Sequence, residues 1–576
     1  MPAALARHLT ACSRPTRIDP ALILTPQERI DEYTLRGWWG GKRIHDWFDD
    51  AVRAHPDGEA LVDAPNRTEF IDGAPRRLTW RALAAEADKY ATAFLELGLA
   101  SDDILCVQLP NCVELPAIYL ACLRLGIVVT PVPVQYREHE LEHILGITQP
   151  GAIITAGRIL HHHHAAMMRG LAARHPGVRN VLAIDELPRW AADPERIARH
   201  EREHRVGAND VFTICWTSGT EGVPKGVPRS HNEWLAIPEN IILSGGLKPG
   251  CHLLNAFPLV NMAGIAGQFL PWLLTGAKLV LHHPFNLQVF LSQVRHEAVD
   301  YTVAAPAILA TLAQNPDLMA GLAGSRLKAI GSGGGPLAEW TVRIFTERYG
   351  IDVINYFGTN EGASLTASAL DLPDPALRAS YFPRFGVDGY EWKLPVARRV
   401  RTRLVDPDSG TDIDAAGKPG ELRVRGPAIF PGYFRAPDMT ARAFDAQGFY
   451  RTGDLFEIAG ERNELYRFVG RLKDIIVRGG FNISSEELEA LLLAHPKVRE
   501  AAIVGYPDDN LGERVCAVVV PQAGKPIELA ELVDFLRTEK KVASYKLPEK
   551  LLLLDAMPRN PVGKVLKRDL RTAASR

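Results

Sequence analysis

The sequence predicts an α/β protein: a large N-terminal domain of βαβ-built sheets with a small β-rich subdomain at its end, followed by a small α+β C-terminal domain. Three observations predict it. Apolar runs of strand length alternate with helical stretches between residues 80 and 355. Near Val400 the texture changes to short strands and turns, and a charged junction at residues 470–474 precedes about one hundred residues of mixed α and β pattern. At roughly 150 residues per domain, a chain of 576 residues is expected to hold several domains.

Residues 1 to about 70 are rich in Trp, Arg and Asp, and residues 36–50 read as a surface segment leading into a first helix. Over residues 80–97 apolar positions recur at helical spacing, and residues 104–109 then read as a short buried strand. The rhythm continues with a helix at 114–125, a β-branched run at 127–134, a helix at 138–147 and a strand at 152–155. Such alternation implies parallel sheets joined by crossover helices. Further strands are expected at 211–216, 278–281, 301–304 and 353–355, and 421–425 belongs to the β-rich subdomain. Beyond the junction come a helix at 485–494, strands at 500–506 and 516–520, and a helix at 529–539. The boundaries are set at 1–470, 471–474 and 475–576.

Lys and Arg total 66 against 68 Asp and Glu, a net charge of −2, so no whole-chain field draws in nucleic acid or an anionic membrane. Residues 537–576 are locally cationic, with 11 basic and 4 acidic side chains. Seven scattered cysteines without a C-x-x-C pair read as reduced thiols of a cytoplasmic protein. No apolar run reaches the ~18–20 residues of a membrane span. Residues 262–281 come nearest, interrupted by Gln268, Pro271 and Lys278, and read as buried core. Leu9-Thr10-Ala11-Cys12 resembles a lipoprotein cleavage box, but Arg7 and His8 stand where its apolar region belongs, so an uncleaved N-terminus is expected. The four histidines at 161–164 read as part of a helix, whose successive side chains diverge and so form no metal site.

The stretch Thr217-Ser218-Gly219-Thr220-Glu221-Gly222-Val223-Pro224-Lys225-Gly226 follows a buried strand and carries the most chemistry. Its glycines let main-chain N–H groups approach a polyanion, its hydroxyls donate further bonds, and Lys225 adds positive charge. That suits triphosphate oxygens. It is not a Walker A loop, because Gly226 follows Lys225 and the spacing from Gly219 is wrong.

With this loop the sequence resembles the adenylate-forming enzymes, the group of acyl-CoA synthetases, aryl-acid activating ligases, peptide-synthetase adenylation domains and luciferases. The resemblance covers most of the chain and implies that Thr217, Ser218, Gly219, Thr220, Gly222 and Lys225 hold the β and γ phosphates of ATP, with Glu221 replacing a usual threonine. Gly333-Gly334-Gly335-Pro336 resembles the adenine-site turn. Tyr356-Phe357-Gly358-Thr359-Asn360-Glu361 resembles the motif in which the aromatic residue stacks near adenine or acyl group and the glutamate, here Glu361, holds Mg²⁺; Asn360 replaces the threonine that contacts the α-phosphate. The resemblance further implies that Asp454 binds the ribose hydroxyls, Arg471 the ribose and phosphate side, and Lys564 bridges carboxylate and phosphate. It also implies a mobile C-terminal domain that turns about Lys473 and brings Gly479 and Gly480 to a pantetheine tunnel.

What this implies is an acyl-CoA synthetase that converts a carboxylic acid and ATP to acyl-AMP and pyrophosphate, then forms the CoA thioester and AMP. His231 matches a position at the carboxylate end of the acyl pocket, and Trp234, Asn261, Met262, Gly264, Ile265 and Gly333 are expected to line it. Pro258 after Phe257 stands where amino-acid-activating domains carry an aspartate, which disfavours an α-amino acid, since a buried ammonium would lack its partner. Ala263, Gly264, Ala266 and Gly267 leave volume, which favours a bulky hydrophobic acid. Residues 33–39 and 491–496 look similar to aryl-acid AMP ligases that load carrier proteins, so a phosphopantetheinyl carrier is the alternative acceptor. The departures at Glu221, Asn261 and Asn360 leave a non-catalytic nucleotide- or acyl-binding relative as a reading of another class. The oligomeric state stays open between monomer and homodimer.

Overall fold

A computed structural model of the chain describes residues 22–185, 191–217, 224–322, 324–335, 337–478, 481–508, 510–540, 542, 544–560 and 563–576. Four sheets organise them. In one six-stranded sheet the strands Asn180–Ala183, Ala152–Thr155, Ile104–Val107, Val128–Pro131 and Val211–Thr217 run parallel, and Lys225–Ser230 closes it antiparallel to Val211–Thr217. The middle strands are wholly buried, as expected where helices cover both faces. An eight-stranded, mostly parallel sheet lies beyond, with Tyr301–Val303, Ala329–Gly333 and Asp352–Gly358 as adjacent strands.

Helices join the two sheets through one hydrophobic core. Trp80–Glu96 starts where the Thr79 hydroxyl accepts from the Ala82 N–H, and its first residue, Trp80, stacks on Trp272 at 5.1 Å. Glu114–Leu125 is buried almost all round and ends at Gly126, whose φ of +74° is the left-handed turn that glycine tolerates best.

An antiparallel sheet, including Gly420–Arg425, Tyr450–Ala459 and Leu465–Arg471, forms the β-rich subdomain. The last of these strands runs straight into a 3₁₀ turn, Leu472–Asp474, and then into the fourth sheet, whose longest strands form the hairpin Val498–Asp508 and Gly512–Pro521. Arg571 ties that turn to the C-terminal helix Lys567–Ala574, donating to the Lys473 carbonyl at 3.0 Å and to Asp474 at 2.9 Å. The Ser484 hydroxyl donates to the Val469 carbonyl, and a Cβ on Gly470 would lie 2.5 Å from the Glu486 carboxylate, so the two parts meet closely here.

Three expectations are corrected. Residues 36–50 are not a surface lead-in: helix Gln27–Leu35 precedes them, and Trp39, Ile44 and Phe48 are buried, the last two on helix Ile44–Ala54. Of the four histidines only His164 is helical, opening His164–Ala172, where it is buried against the carbonyls of Val134 and His162. The helix at 529–539 splits into Leu529–Asp534 and a wider π turn, Phe535–Glu539. Among the described residues no helix is long and apolar enough to cross a membrane.

Candidate active site

Thr217 and Lys225 are paired at the open end of a hairpin, so the residues between them form the connection that sequence analysis assigned to phosphates. Ser218, Gly219, Thr220 and Gly222 lie outside the described residues, as do Pro336, Gly479 and Gly480. Lys225 places its ammonium 5.2 Å from the centre of the Tyr433 ring, and the Tyr433 hydroxyl donates to Glu361 Oε1 at 2.9 Å. Burial beside the Glu361 carboxylate pushes the Tyr433 phenol well above its ordinary range. Lys225 and Glu361 thus flank one aromatic ring.

Asp454 and Arg471 face each other across neighbouring strands and form an ion pair of 3.2 Å. Asp454 is only 2% exposed, and burial raises its carboxyl above the usual aspartate range, opposed by Arg471 and Lys564. Lys564 comes from the small domain, at a turn closed by Asn560: the Asn560 side chain accepts from the Lys564 N–H at 2.8 Å, and the Asn560 N–H donates to the Lys564 carbonyl at 2.7 Å. Crowding by protein, and then by Arg471 and Lys473, holds its ammonium below the ordinary lysine range, while Asp454 and Asp474 oppose that shift. Desolvation is the largest cause of that shift, although the residue as a whole is exposed. Three cations thus outnumber the two buried carboxylates, Asp454 and Asp474, an arrangement suited to a phosphate-bearing ligand.

Gly333 ends its strand with its α-carbon against the Tyr356 carbonyl, where any Cβ would collide, and Gly334 (φ +81°) and Gly335 are exposed. Phe357 meets Phe456 edge-on at 5.0 Å, on the side of the β-rich subdomain. Its neighbour Tyr356, expected with the nucleotide, points the opposite way, as strand alternation requires, and its phenol meets Ser244 and Tyr301. Gly358 and Thr359 lead into a tight turn, with the Gly362 N–H bonded to the Thr359 carbonyl at 3.0 Å. Asn360 is already engaged: Oδ1 accepts from the Met262 N–H at 2.9 Å and Nδ2 donates to the Trp216 carbonyl at 3.3 Å, leaving one amide hydrogen for a phosphate.

The acyl-pocket expectations fare unevenly. His231 is a core residue: its Nδ1 accepts from the Ile44 N–H at 3.2 Å, its ring lies 6.0 Å from Phe212, and burial lowers it to about 3. It is neutral and turned toward helix Ile44–Ala54. Trp234 is likewise buried, donating to Thr213 at 2.9 Å, and Ile265 packs in the central core. Asn261 caps the helix Met262–Gly264, accepting from the Gly264 N–H at 3.2 Å. Gly264 is small because the Pro258 carbonyl sits where a Cβ would be, so it gives a ligand no volume. Only Gly267, buried yet with no atom within 4 Å of a built Cβ, borders empty space.

Sequence reasoning missed Arg229. Its guanidinium is fully buried and clasps three carbonyls, Asn360 at 3.0 Å and Glu233 and Ala428 at 2.8 Å, while covering the Trp234 ring at 4.4 Å. Burial lowers it to about 10. The carbonyls of four consecutive residues, 427–430, each accept from a side chain: Trp39, Arg229 and, twice, Arg29. Behind this plate lies Gly362 (φ +103°), where any Cβ would strike the Ala428 carbonyl, and the Phe430 N–H donates to the Glu361 carbonyl at 2.9 Å. No periodicity marks an arginine in a buried strand, and only the pairing of distant segments reveals this brace.

The family model for AMP-binding enzymes matches residues 48–434, and the model for the AMP-binding enzyme C-terminal domain matches residues 487–564. The chain is 31% identical to the 2-hydroxy-7-methoxy-5-methyl-1-naphthoate–CoA ligase of Streptomyces carzinostaticus, covering 96% of each protein. It is 29% identical to the salicyl-AMP ligase / salicyl-S-ArCP synthetase of Mycobacterium tuberculosis, over 94% of this chain and 93% of that one. The crystal structure of ATP-bound MatB from Rhodopseudomonas palustris superposes with a TM-score of 0.74 at 25% identity, over 92% of this chain and 99% of that one. A match of this extent means that the chain belongs to the AMP-binding enzyme family.

Proposed function

We propose that this ATP-dependent, AMP-forming carboxylic acid ligase builds its adenylation site from Lys225, Glu361, Asp454, Arg471 and Lys564, with the loop at 217–225 receiving the β and γ phosphates. The observation that carries the reading is the approach of Lys564, from the small domain, to the Asp454–Arg471 pair of the large one.

A carboxylate is a poor acyl donor, because oxide would have to leave. Attack of its oxygen on the α-phosphorus of ATP forms an acyl phosphate bond and breaks the bond to pyrophosphate, which departs with the electron pair. Lys564 bridges the carboxylate and α-phosphate oxygens and neutralises charge where it accumulates. Asp454 accepts from the ribose hydroxyls, Arg471 lies beside it, and the turn at Gly333–Gly335 leaves room for adenine. Glu361 fits Mg²⁺: a buried carboxylate whose Oε1 is fixed by Tyr433 is a hard oxygen ligand, and this ion commonly takes one or two carboxylates plus substrate phosphates. When bound it supplies positive charge to the triphosphate.

In the second half-reaction a thiolate attacks the acyl carbon and AMP leaves as a phosphate. The junction at 471–474 acts as the hinge: rotation about Lys473 withdraws Lys564 and brings Gly479 and Gly480 forward. The acid is a hydrophobic carboxylic acid and the acceptor is free CoA in the cytoplasm. The resemblance to a salicyl-S-ArCP synthetase favours a carrier protein as the second reading of the acceptor. Carboxylate-dependent ATP–pyrophosphate exchange tests the first half-reaction, and it should fall about a hundredfold or more in Lys564→Ala; exchange at the native rate in that variant refutes the assignment. Mass detection of acyl-CoA after addition of CoA decides the acceptor.

A further inference from the structure

We propose that Glu421 is a positioning residue for nucleotide binding: its carboxylate fixes the turn Thr452-Gly453-Asp454 so that the Asp454 side chain meets the ribose hydroxyls, and it thereby sets the preference for ribose over a sugar that lacks them. The inference rests on the ribose-binding reading of Asp454 given above and adds the group that aims it.

Asp454 stands where the strand ladder is broken on both sides. Toward strand Gly420–Arg425, the pairs Glu421–Leu455 and Arg423–Arg451 enclose Leu422 alone on one strand, and Thr452, Gly453 and Asp454 on the other. Toward strand Leu465–Arg471, Val469 is the extra residue between the pairs Leu455–Gly470 and Phe456–Phe468. Bulges of this kind bend a strand and re-aim a side chain. They also take main-chain groups out of the ladder, and here side chains receive them. The Gly453 N–H donates to Glu421 Oε1 at 3.3 Å. The Asp454 N–H donates to the Thr452 hydroxyl at 3.1 Å, which itself donates to the Leu422 carbonyl at 2.7 Å. Gly453, at φ +69°, has no side chain to fix it, so the bond to Glu421 pins the residue that precedes Asp454.

The anchor is itself held. Glu421 is 6% exposed, and its second oxygen accepts from Arg423 Nε at 2.9 Å. Arg423 also donates to Asp445 at 3.2 Å, and Asp445 accepts from Arg403 at 2.6 Å. Charges alternate along this row, so Glu421 is compensated inside the fold, with both oxygens in use as acceptors. Only a carboxylate accepts at both ends: a glutamine amide would turn its NH₂ on either the Gly453 N–H or the Arg423 guanidinium. A carboxylate at Asp454 accepts from two neighbouring hydroxyls only when it is aimed at both, and rotation of its turn forfeits that geometry. On the reading above the triphosphate is held elsewhere, at Lys225 and the loop before it, so a misaimed Asp454 loses the ribose contribution and leaves the phosphate contribution in place.

The test is calorimetric binding of ATP and of dideoxy-ATP, which lacks both ribose hydroxyls, with Mg²⁺ present, to the native protein, Glu421→Gln and Asp454→Ala. The native protein should bind ATP about tenfold or more tightly than dideoxy-ATP, the worth of hydrogen bonds to a charged acceptor. Asp454→Ala should abolish that preference. Glu421→Gln should cut it to about threefold or less, mainly through weaker binding of ATP. General damage to the fold weakens both nucleotides alike and keeps their ratio, so the ratio of the two dissociation constants decides. A native ratio in Glu421→Gln, beside a lost one in Asp454→Ala, overturns the inference and leaves the ribose reading standing. A native ratio in Asp454→Ala, no preference in the native protein, or no binding of ATP, overturns that reading and this one together. If Glu421→Gln fails to fold, Glu421→Asp, which keeps the charge opposite Arg423 and ends one methylene short of the Gly453 N–H, decides in its place by the same ratio.

Discussion

Glu361 and Lys564 both act electrostatically on Asp454, yet the protein holds them in opposite ways. Glu361 is 7% exposed, fixed by Tyr433 and backed by a loop whose four consecutive carbonyls are gripped by Arg29, Trp39 and Arg229. Lys564 sits on a short turn closed by one asparagine, and its domain is tied to the rest through Ser484, the Gly470–Glu486 approach and the Arg471–Asp474 junction. On the mechanism proposed above, one side is prebuilt and the other is delivered. A site that must hold ATP in one step and admit a thiol in the next can keep its anion-binding floor rigid and move only the cation that the second step does not use.

Removing each side should therefore have a different signature. Lys564→Ala should lower exchange about a hundredfold or more, the usual cost of deleting one group that stabilises developing charge, with no change in thermal midpoint. Thioester formation from synthetic acyl-AMP should persist in the same variant. Arg229→Met should do the reverse: three buried carbonyls lose their donor, so urea unfolding should report a loss of about 3 kcal/mol. Arg229→Lys should recover only part of it, because an ammonium cannot span three acceptors as a planar fork does. A native midpoint in Arg229→Met would break the comparison.

The pH profile sharpens it. Asp454 is raised, so the carboxylate is lost on acidification at a higher pH than for an ordinary aspartate; Lys564 is lowered, so its ammonium is lost on alkalinisation at a lower pH than for an ordinary lysine. Adenylation should peak between these limits, on a narrower bell than unperturbed groups give. Lys564→Arg, which stays charged, should shift the alkaline limb upward in whatever activity it retains. An alkaline limb unchanged by that substitution would assign it to another group.

Most of the fold was legible because parallel strands buried on both faces leave continuous apolar runs: 152–155 and 278–281 were read to the residue. Asp454, Arg471 and Lys564 stand in motifs of fixed local spacing, and in the fold Asp454 pairs with Arg471 and both act electrostatically on Lys564. What escaped was tertiary. His231 and Trp234 carry polar handles that look chemical in sequence, but their partners, Ile44 and Thr213, are 187 and 21 residues away and turn them into core. Gly264 looked like pocket volume and is instead a close backbone approach. The brace around 427–430 joins residues about 200 to 400 apart, which no local pattern encodes.

The smallest expected effect tests whether that brace serves the site or only the fold. Trp39 donates its indole N–H to the Pro427 carbonyl at 3.1 Å from a buried position against Tyr33. Trp39→Phe keeps an aromatic body and deletes one hydrogen bond, so stability should fall by about 1 kcal/mol. If the plate positions Glu361, the KM for Mg·ATP should rise a few-fold while the KM for the acid stays put, because the shift is passed through the Phe430–Glu361 main-chain bond to the phosphate side alone. A loss of stability with both Michaelis constants unchanged would make the segment at Trp39 a fastening of the fold, and the rigidity of the Glu361 side would then rest on Arg229 and Gly362.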